Sequence, residues 1–166
     1  GIEKIWVNND KTFQEVNYVL QNMQKTDTVA LEQTENVLDR YDLPEQIEKR
    51  KERKIWLKCG GFITIDSTEA LVAIDVNSGK YVGKDTLEKT VLKVNKEASV
   101  EIAKQLRLRD IGGIIIIDYI DMEEEKDRQE VMQTLQESLK QDRSKTQIVG
   151  FTKLNLLEMT RKHICS

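Results

Sequence analysis

Apolar positions along this chain switch between two periods, and the switches outline a strand–helix–strand unit. In ALVAIDVNSG (residues 70–79) they alternate, so Leu71, Ala73, Asp75 and Asn77 share one face of a strand. GGIIIIDYIDM (residues 112–122) holds four consecutive isoleucines, a run that predicts a strand covered on both faces. There Ile114, Ile116 and Asp118 share one face, and Ile115 and Ile117 the other. Between the two, Leu87, Val91, Val94, Ala98, Ile102 and Leu106 recur at three-and-four spacing and predict one long helix. Asp85, with Glu88 three residues on, has the pattern of its N-cap. A helical crossover of this kind predicts parallel strands whose C-terminal ends share an edge. Open α/β sheets bind ligands on that edge, so Asp75, Asn77 and Asp118 are expected to meet there.

The rest of the pattern is shorter. Residues 4–8 predict a strand, and Asp10 to Gln24 a helix capped by Asp10, with Phe13, Val16, Val19, Leu20 and Met23 inward. Residues 28–31 predict another strand. Pro44 is placed to open a helix, and the charged tract 45–54 reads as a solvated helix face or a basic contact surface. Strands follow at 55–57, 61–66 and 70–76. A helix is expected from near Met122 with Val131, Leu135 and Leu139 inward, then a strand at 147–151 and a short apolar segment before a basic tail. The expected fold is α/β, a mixed sheet with a parallel strand–helix–strand core flanked by helices. Its expected parts are residues 1–53 and 54–166.

Composition narrows the chemistry. The chain has 166 residues, 33% of them charged, and a formal net charge of −3, so nucleic-acid binding would need local basic patches. Two cysteines, Cys59 and Cys165, make neither a disulfide framework nor a zinc cluster, and a cytoplasmic protein without a membrane segment is expected. The opening at Gly1, without methionine, reads as an excised fragment. The single histidine, His163, leaves no two-histidine acid–base pair, so phosphodiester cleavage would require a metal-activated water. Magnesium suits a sparse carboxylate set, with manganese as a substitute.

Among the acids, Asp121 has Glu124 three residues later and reads as a helix cap. Asp75 and Asp118 end apolar strands; they either hold a cation or pair with Lys80, Lys84 or Arg109. The loop Ser78 to Asp85 is a phosphate cradle or a plain connector, and it is not a Walker A sequence. Lys104, Arg107 and Arg109, then Arg143 and Lys145, then Arg161 and Lys162 follow helix ends or lie in the tail. They reflect helix-dipole preference, or they hold an RNA backbone if they gather on the metal edge. Tyr81, Tyr119 and Phe151 are the aromatics nearest the expected site.

Four blocks carry a family resemblance: IDSTEALVAIDVNSG (65–79), EIAKQLRLRDIGGIIIIDYIDM (101–122), QDRSK (141–145) and LLEMTRK (156–162). In this order they closely resemble the catalytic core of the ribonuclease E/G family. The resemblance is dense from about Gly60 to Lys162. It is weaker before Cys59, where the chain resembles part of the ribonuclease-H-like subdomain preceding a deoxyribonuclease-I-like core. It implies a magnesium-dependent endoribonuclease that cuts single-stranded, A/U-rich RNA and leaves a 5′-phosphate. Its metal-binding aspartates fall on Asp75 and Asp118, and its supporting catalytic asparagine on Asn77. Basic residues approaching the RNA backbone fall on Arg143 and Lys145, to which position adds Lys80 and Arg109. The family's S1 domain, 5′-end sensor and protomer-joining Cys-x-x-Cys zinc link are not in this chain. A homo-oligomer is therefore expected of the full-length protein, while the fragment should bind RNA poorly and cleave slowly or not at all. Two other readings stand beside this one: a non-catalytic RNA-docking or dimerisation scaffold, and a metal-dependent phosphoesterase.

Overall fold

The computed structural model describes residues 2–35, 37, 45, 48, 52–79 and 87–164. Lys80, Tyr81, Lys84, Asp85 and Cys165, and most of the helix expected after Pro44, lie outside these residues. Contacts divide the chain into two compact units, Gly1–Lys49 and Arg50–Ser166. Among the described residues no helix is long and apolar enough to cross a membrane.

In the first unit, β1 (Lys4–Val7) and β2 (Ala30–Gln33) pair in parallel, with Lys4 opposite Ala30. α1 (Asp10–Asn22) connects them. Its N-cap is Asn9, whose side chain accepts the Thr12 N–H at 2.8 Å, so Asp10 is the first helical residue rather than the cap. Either residue can serve, and the acid in the first turn still suits the helix dipole.

The second unit is a six-stranded mixed sheet in the order β3-β4-β5-β6-β8-β7. Its strands are β3 (Lys54–Trp56), β4 (Phe62–Ser67), β5 (Val72–Asn77), β6 (Gly113–Asp118), β7 (Thr146–Phe151) and β8 (Leu156–Arg161). α2 (Leu87–Leu108) is the crossover between β5 and β6, which run parallel as expected; every other neighbouring pair is antiparallel. α3 (Glu125–Leu139) follows β6 and packs beside α2.

Three expectations are corrected here. The isoleucine strand is covered on one face only: Ile115 and Ile117 are fully buried, but Ile114 is 52% exposed. A long apolar run predicts two buried faces, yet both helices lie over the side that carries Ile63, Ile74, Ile115, Ile117, Leu157 and Met159. Leu87, placed on the buried stripe of the long helix, is 79% exposed at its first turn. The apolar segment after Leu154 is a full strand, β8, inserted between β6 and β7. It alternates Leu157, Met159 and Arg161 inward, and the charged third member hides the period.

Candidate metal centre

The parallel pairing of β5 and β6 sets Asp75 directly opposite Asp118 in register, at the C-terminal ends of both strands. Neighbouring strands are about 4.8 Å apart, so two carboxylates in register on one face are close enough to share a hydrated cation. Both lie on the face away from the helices and are exposed. Asn77, two residues beyond Asp75 on the same face, donates its amide to the Asp75 carboxylate at 2.5 Å. Thr64 is the register partner of Asp75 on the other side.

Neither carboxylate forms an ion pair among the described residues. Arg109, one of their possible partners, is engaged elsewhere: it donates to Gln105 at 2.8 Å and to the Glu52 carbonyl at 2.8 Å. Partial burial and then the neighbouring charges of Asp75 and Asp121 push the Asp118 carboxyl above its ordinary range. Crowded carboxylates favour a proton or a cation; the nearest cation felt by Asp75, Arg53, is itself paired to Asp66. The donor set, two carboxylates and an amide on an exposed edge, suits a magnesium ion that keeps most of its waters. Among the described residues there is no group of three or more His, Cys, Asp or Glu side chains that could hold a metal. A zinc-type cage is thus absent from them, whereas magnesium needs only one or two carboxylates.

Buried polar side chains of α2 fix the backbone just after Asp118. Asn95 is fully buried; its amide donates to the Ile120 carbonyl at 2.8 Å, and its oxygen accepts the Ile120 N–H at 3.1 Å. One turn on, the hydroxyls of Ser99 and Tyr119 meet at 2.8 Å. Tyr119 is buried and tilted against Phe151 with ring centroids 6.2 Å apart, so it belongs to the core and not to a stacking surface. Sequence reasoning missed this clamp. Asn95 and Ser99 sit on the apolar stripe of the long helix, and a buried polar residue there is the available signal.

On the β5 side, Glu97 of α2 accepts the backbone N–H groups of Lys58 and Cys59. This ties the turn at Gly60 and Gly61 to the helix. A Cβ on Gly61 would lie 2.7 Å from the Asn77 carbonyl, and one on Gly79, whose φ is +62°, 2.6 Å from the Gly60 carbonyl. Glycine at these places lets two backbones close beneath Asn77.

Asp121 is not the cap of α3. The N-cap position is Glu124, without a side-chain cap bond, and the helix starts at Glu125, so Asp121 precedes the cap by three residues. Arg128 holds that loop by donating to the Met122 carbonyl at 2.5 Å.

The basic residues lie at the other end of the strands. α2 and α3 both run back from the acidic edge, so Arg107, Arg109, Arg143 and Lys145 come to the edge where β6 begins. Lys162 continues β8 past Arg161, which is opposite Gly113. Asp118 is opposite Leu156, six residues before Lys162, which is about 20 Å along the strand direction. Lys145 and Arg143 are thus not brought together with Asp75 and Asp118, and the other basic loop residue, Lys80, lies outside the described residues. The physical reason is topological: a helix that returns over a sheet carries its C-terminal cations to the edge opposite the strand ends.

Comparison with known proteins adds the family. The Ribonuclease E/G family is matched over residues 1–164. Ribonuclease G of Salmonella typhimurium (strain SL1344) is 49% identical over 126 residues, covering 76% of this chain and 26% of that protein. Ribonuclease G of Haemophilus influenzae is 45% identical over 126 residues, with the same coverage of both chains. Ribonuclease E of Escherichia coli (strain K12) is 45% identical over 124 residues, covering 75% of this chain and 12% of that protein. The chain spans about a quarter of the length of the ribonuclease G relatives it matches. On the match along nearly its whole length, this chain belongs to the ribonuclease E/G family.

Proposed function

We propose that residues 50–166 carry the metal-dependent hydrolytic centre of a cytoplasmic endoribonuclease, with Asp75 and Asp118 as ligands to one magnesium ion, replaceable by manganese. The observation that carries this reading is the register pairing of the two carboxylates at the ends of adjacent parallel strands, exposed and without ion-pair partners among the described residues. The relatives named ribonuclease G and ribonuclease E support RNA as the substrate.

The ion, when bound, would lower the pKa of a coordinated water and neutralise phosphate charge. The protein supplies the rest. Asn77 holds the Asp75 carboxylate in one orientation through its amide hydrogen bond. Asn95 clamps Ile120 and so limits movement of the strand end that bears Asp118. In the reaction a water oxygen bonds to phosphorus, the P–O3′ bond breaks, and the leaving 3′-oxygen takes a proton. The downstream RNA then carries a 5′-phosphate. Single-stranded RNA is the expected substrate because the resemblance to the ribonuclease E/G family implies it.

This chain alone is expected to be a slow enzyme, since among the described residues few groups near the two aspartates can orient a substrate. The test is cleavage of end-labelled single-stranded RNA by the 166-residue chain in magnesium and in chelator, compared with Asp75→Asn and Asp118→Asn. Slow cutting that leaves 5′-phosphate ends and disappears in chelator and in both variants is expected. Cutting that persists in chelator, or in both variants, overturns the assignment.

A further inference from the structure

The open face that bears Asp75 and Asp118 also carries a pair of aromatic rings beside them. Trp56 is the register partner of Phe62, and Phe62 is the register partner of Asn77, so the three form one row across β3, β4 and β5. The row behind it holds Lys54, Thr64, Asp75 and Asp118. Paired residues of adjacent strands share a face, which puts the rings on the side of the carboxylates. Phe62 is diagonal to Asp75, with Cα atoms about 7–8 Å apart. Asn77, level with Phe62, is the residue whose amide holds the Asp75 carboxylate.

The fold fixes this aromatic pair. The Trp56 and Phe62 rings meet edge to face with centroids 5.3 Å apart. In the turn between them, buried Leu57 donates its N–H to the Gly61 carbonyl at 2.8 Å and accepts the Gly60 N–H at 3.0 Å. Glu97 of α2 holds the same turn at Lys58 and Cys59. Trp56 is nevertheless 63% exposed, and among the described residues of the second unit it is the exposed aromatic ring. A lone exposed apolar side chain is ordinary. Here a cation accompanies it: the Lys54 ammonium lies 4.2 Å from the Trp56 ring centroid and 3.7 Å from that of Phe62. No carboxylate pairs with Lys54 among the described residues. An open indole face beside an ammonium matches the two halves of a nucleotide, a base that stacks and a phosphate that carries charge.

We propose that Trp56, backed by Phe62, is a stacking platform for a base of the RNA, seating the nucleotide next to the cleaved phosphate. This rests on the reading of RNA as substrate and deepens it by naming substrate-binding residues that grip a base rather than the backbone. Every base has a π-face, so the platform holds the strand without selecting a sequence.

The experiment follows Trp56 fluorescence in the whole chain carrying Trp6→Phe, which leaves Trp56 as its one tryptophan. The chain is titrated in chelator with a single-stranded oligoribonucleotide, with an abasic oligomer of the same length and with polyglutamate. The oligoribonucleotide should quench the emission saturably, and the other two should not. In the otherwise unchanged chain, Trp56→Leu keeps an apolar side chain without a stacking face. It should weaken binding of the labelled oligoribonucleotide about fivefold or more and leave the salt slope unaltered, since no phosphate contact is lost. Trp56→Phe should recover most of that loss. Equal quenching by the abasic oligomer or by polyglutamate, undiminished affinity in Trp56→Leu, or no quenching at millimolar oligoribonucleotide overturns the proposal. Asp75→Asn and Asp118→Asn should keep the quenching in chelator while abolishing cleavage, so failure of the platform and failure of the metal centre are seen separately.

Discussion

At the scale of single residues the account turns on Asp118. Its carboxyl is raised by partial burial and by the charges of Asp75 and Asp121. The fold therefore favours the protonated form: the contribution of Asp118 to stability is present below the ordinary carboxylate range and is lost as pH rises through the raised value. Removing the charge should then help the metal-free chain. Asp118→Asn is expected to leave stability at neutral pH unchanged or higher by up to about 0.5 kcal/mol, read by urea unfolding in chelator. A clear loss of stability would instead make Asp118 a structural ion-pair member. Asp75→Asn should bring the Asp118 titration toward its ordinary range, as followed by carboxyl NMR. Asn95 is the other decisive residue. Truncation to Ala strands the Ile120 N–H and carbonyl in a partly buried place, at about 1 kcal/mol or somewhat more. The same variant should weaken divalent-ion binding, a readout that a purely structural asparagine would leave alone.

At the scale of elements, β8 is the piece whose absence from the sequence reading is most instructive. Leu157 and Met159 alternate as in any half-buried strand, but the third inward position is Arg161. A buried arginine is tolerable only with its partners present, and those lie 19 and 51 residues away, at Asp142 and Asp110. No local pattern shows such a pairing. The same limit hid the open face of β6, since four isoleucines look alike until the helices choose a side. By contrast the parallel β5–α2–β6 unit was legible, because period and helix length are local quantities. Arg161→Met, which leaves Asp142 buried without its partner, should cost about 3–5 kcal/mol in urea unfolding. Burial opposes ionisation of Asp142, but the Arg161 and Ser144 hydrogen bonds outweigh it and hold the carboxyl below its ordinary range. Its contribution is present above the ordinary carboxylate pKa and is lost as pH falls through the depressed value. Asp142→Asn should therefore lose stability at neutral pH and flatten the acid end of the stability profile.

At the scale of the whole second unit, the acids of the proposed site and the helix-end cations lie at opposite ends of the strands. Asp75, Asp118, Asp121 and the acidic first turn of α3 lie at one edge; Arg107, Arg109, Arg143, Lys145 and Lys162 lie at the other. Sequence reading named most of these residues but not their separation. The pattern leaves the helix-end cations as dipole preference or, if they gather on the metal edge, as a grip on RNA; each returning helix delivers them to the far edge. Loss of the acidic edge and loss of the basic edge should thus have different signatures, in cation binding for one and in salt-dependent RNA binding for the other. The central claim, that Asp75 and Asp118 grip one divalent ion between them, is tested most directly by manganese titration of the intact chain, followed by electron paramagnetic resonance with magnesium as competitor. One bound ion is expected, displaced by magnesium and lost in Asp75→Asn and in Asp118→Asn. Binding that survives both substitutions, or no uptake at millimolar manganese, would contradict it.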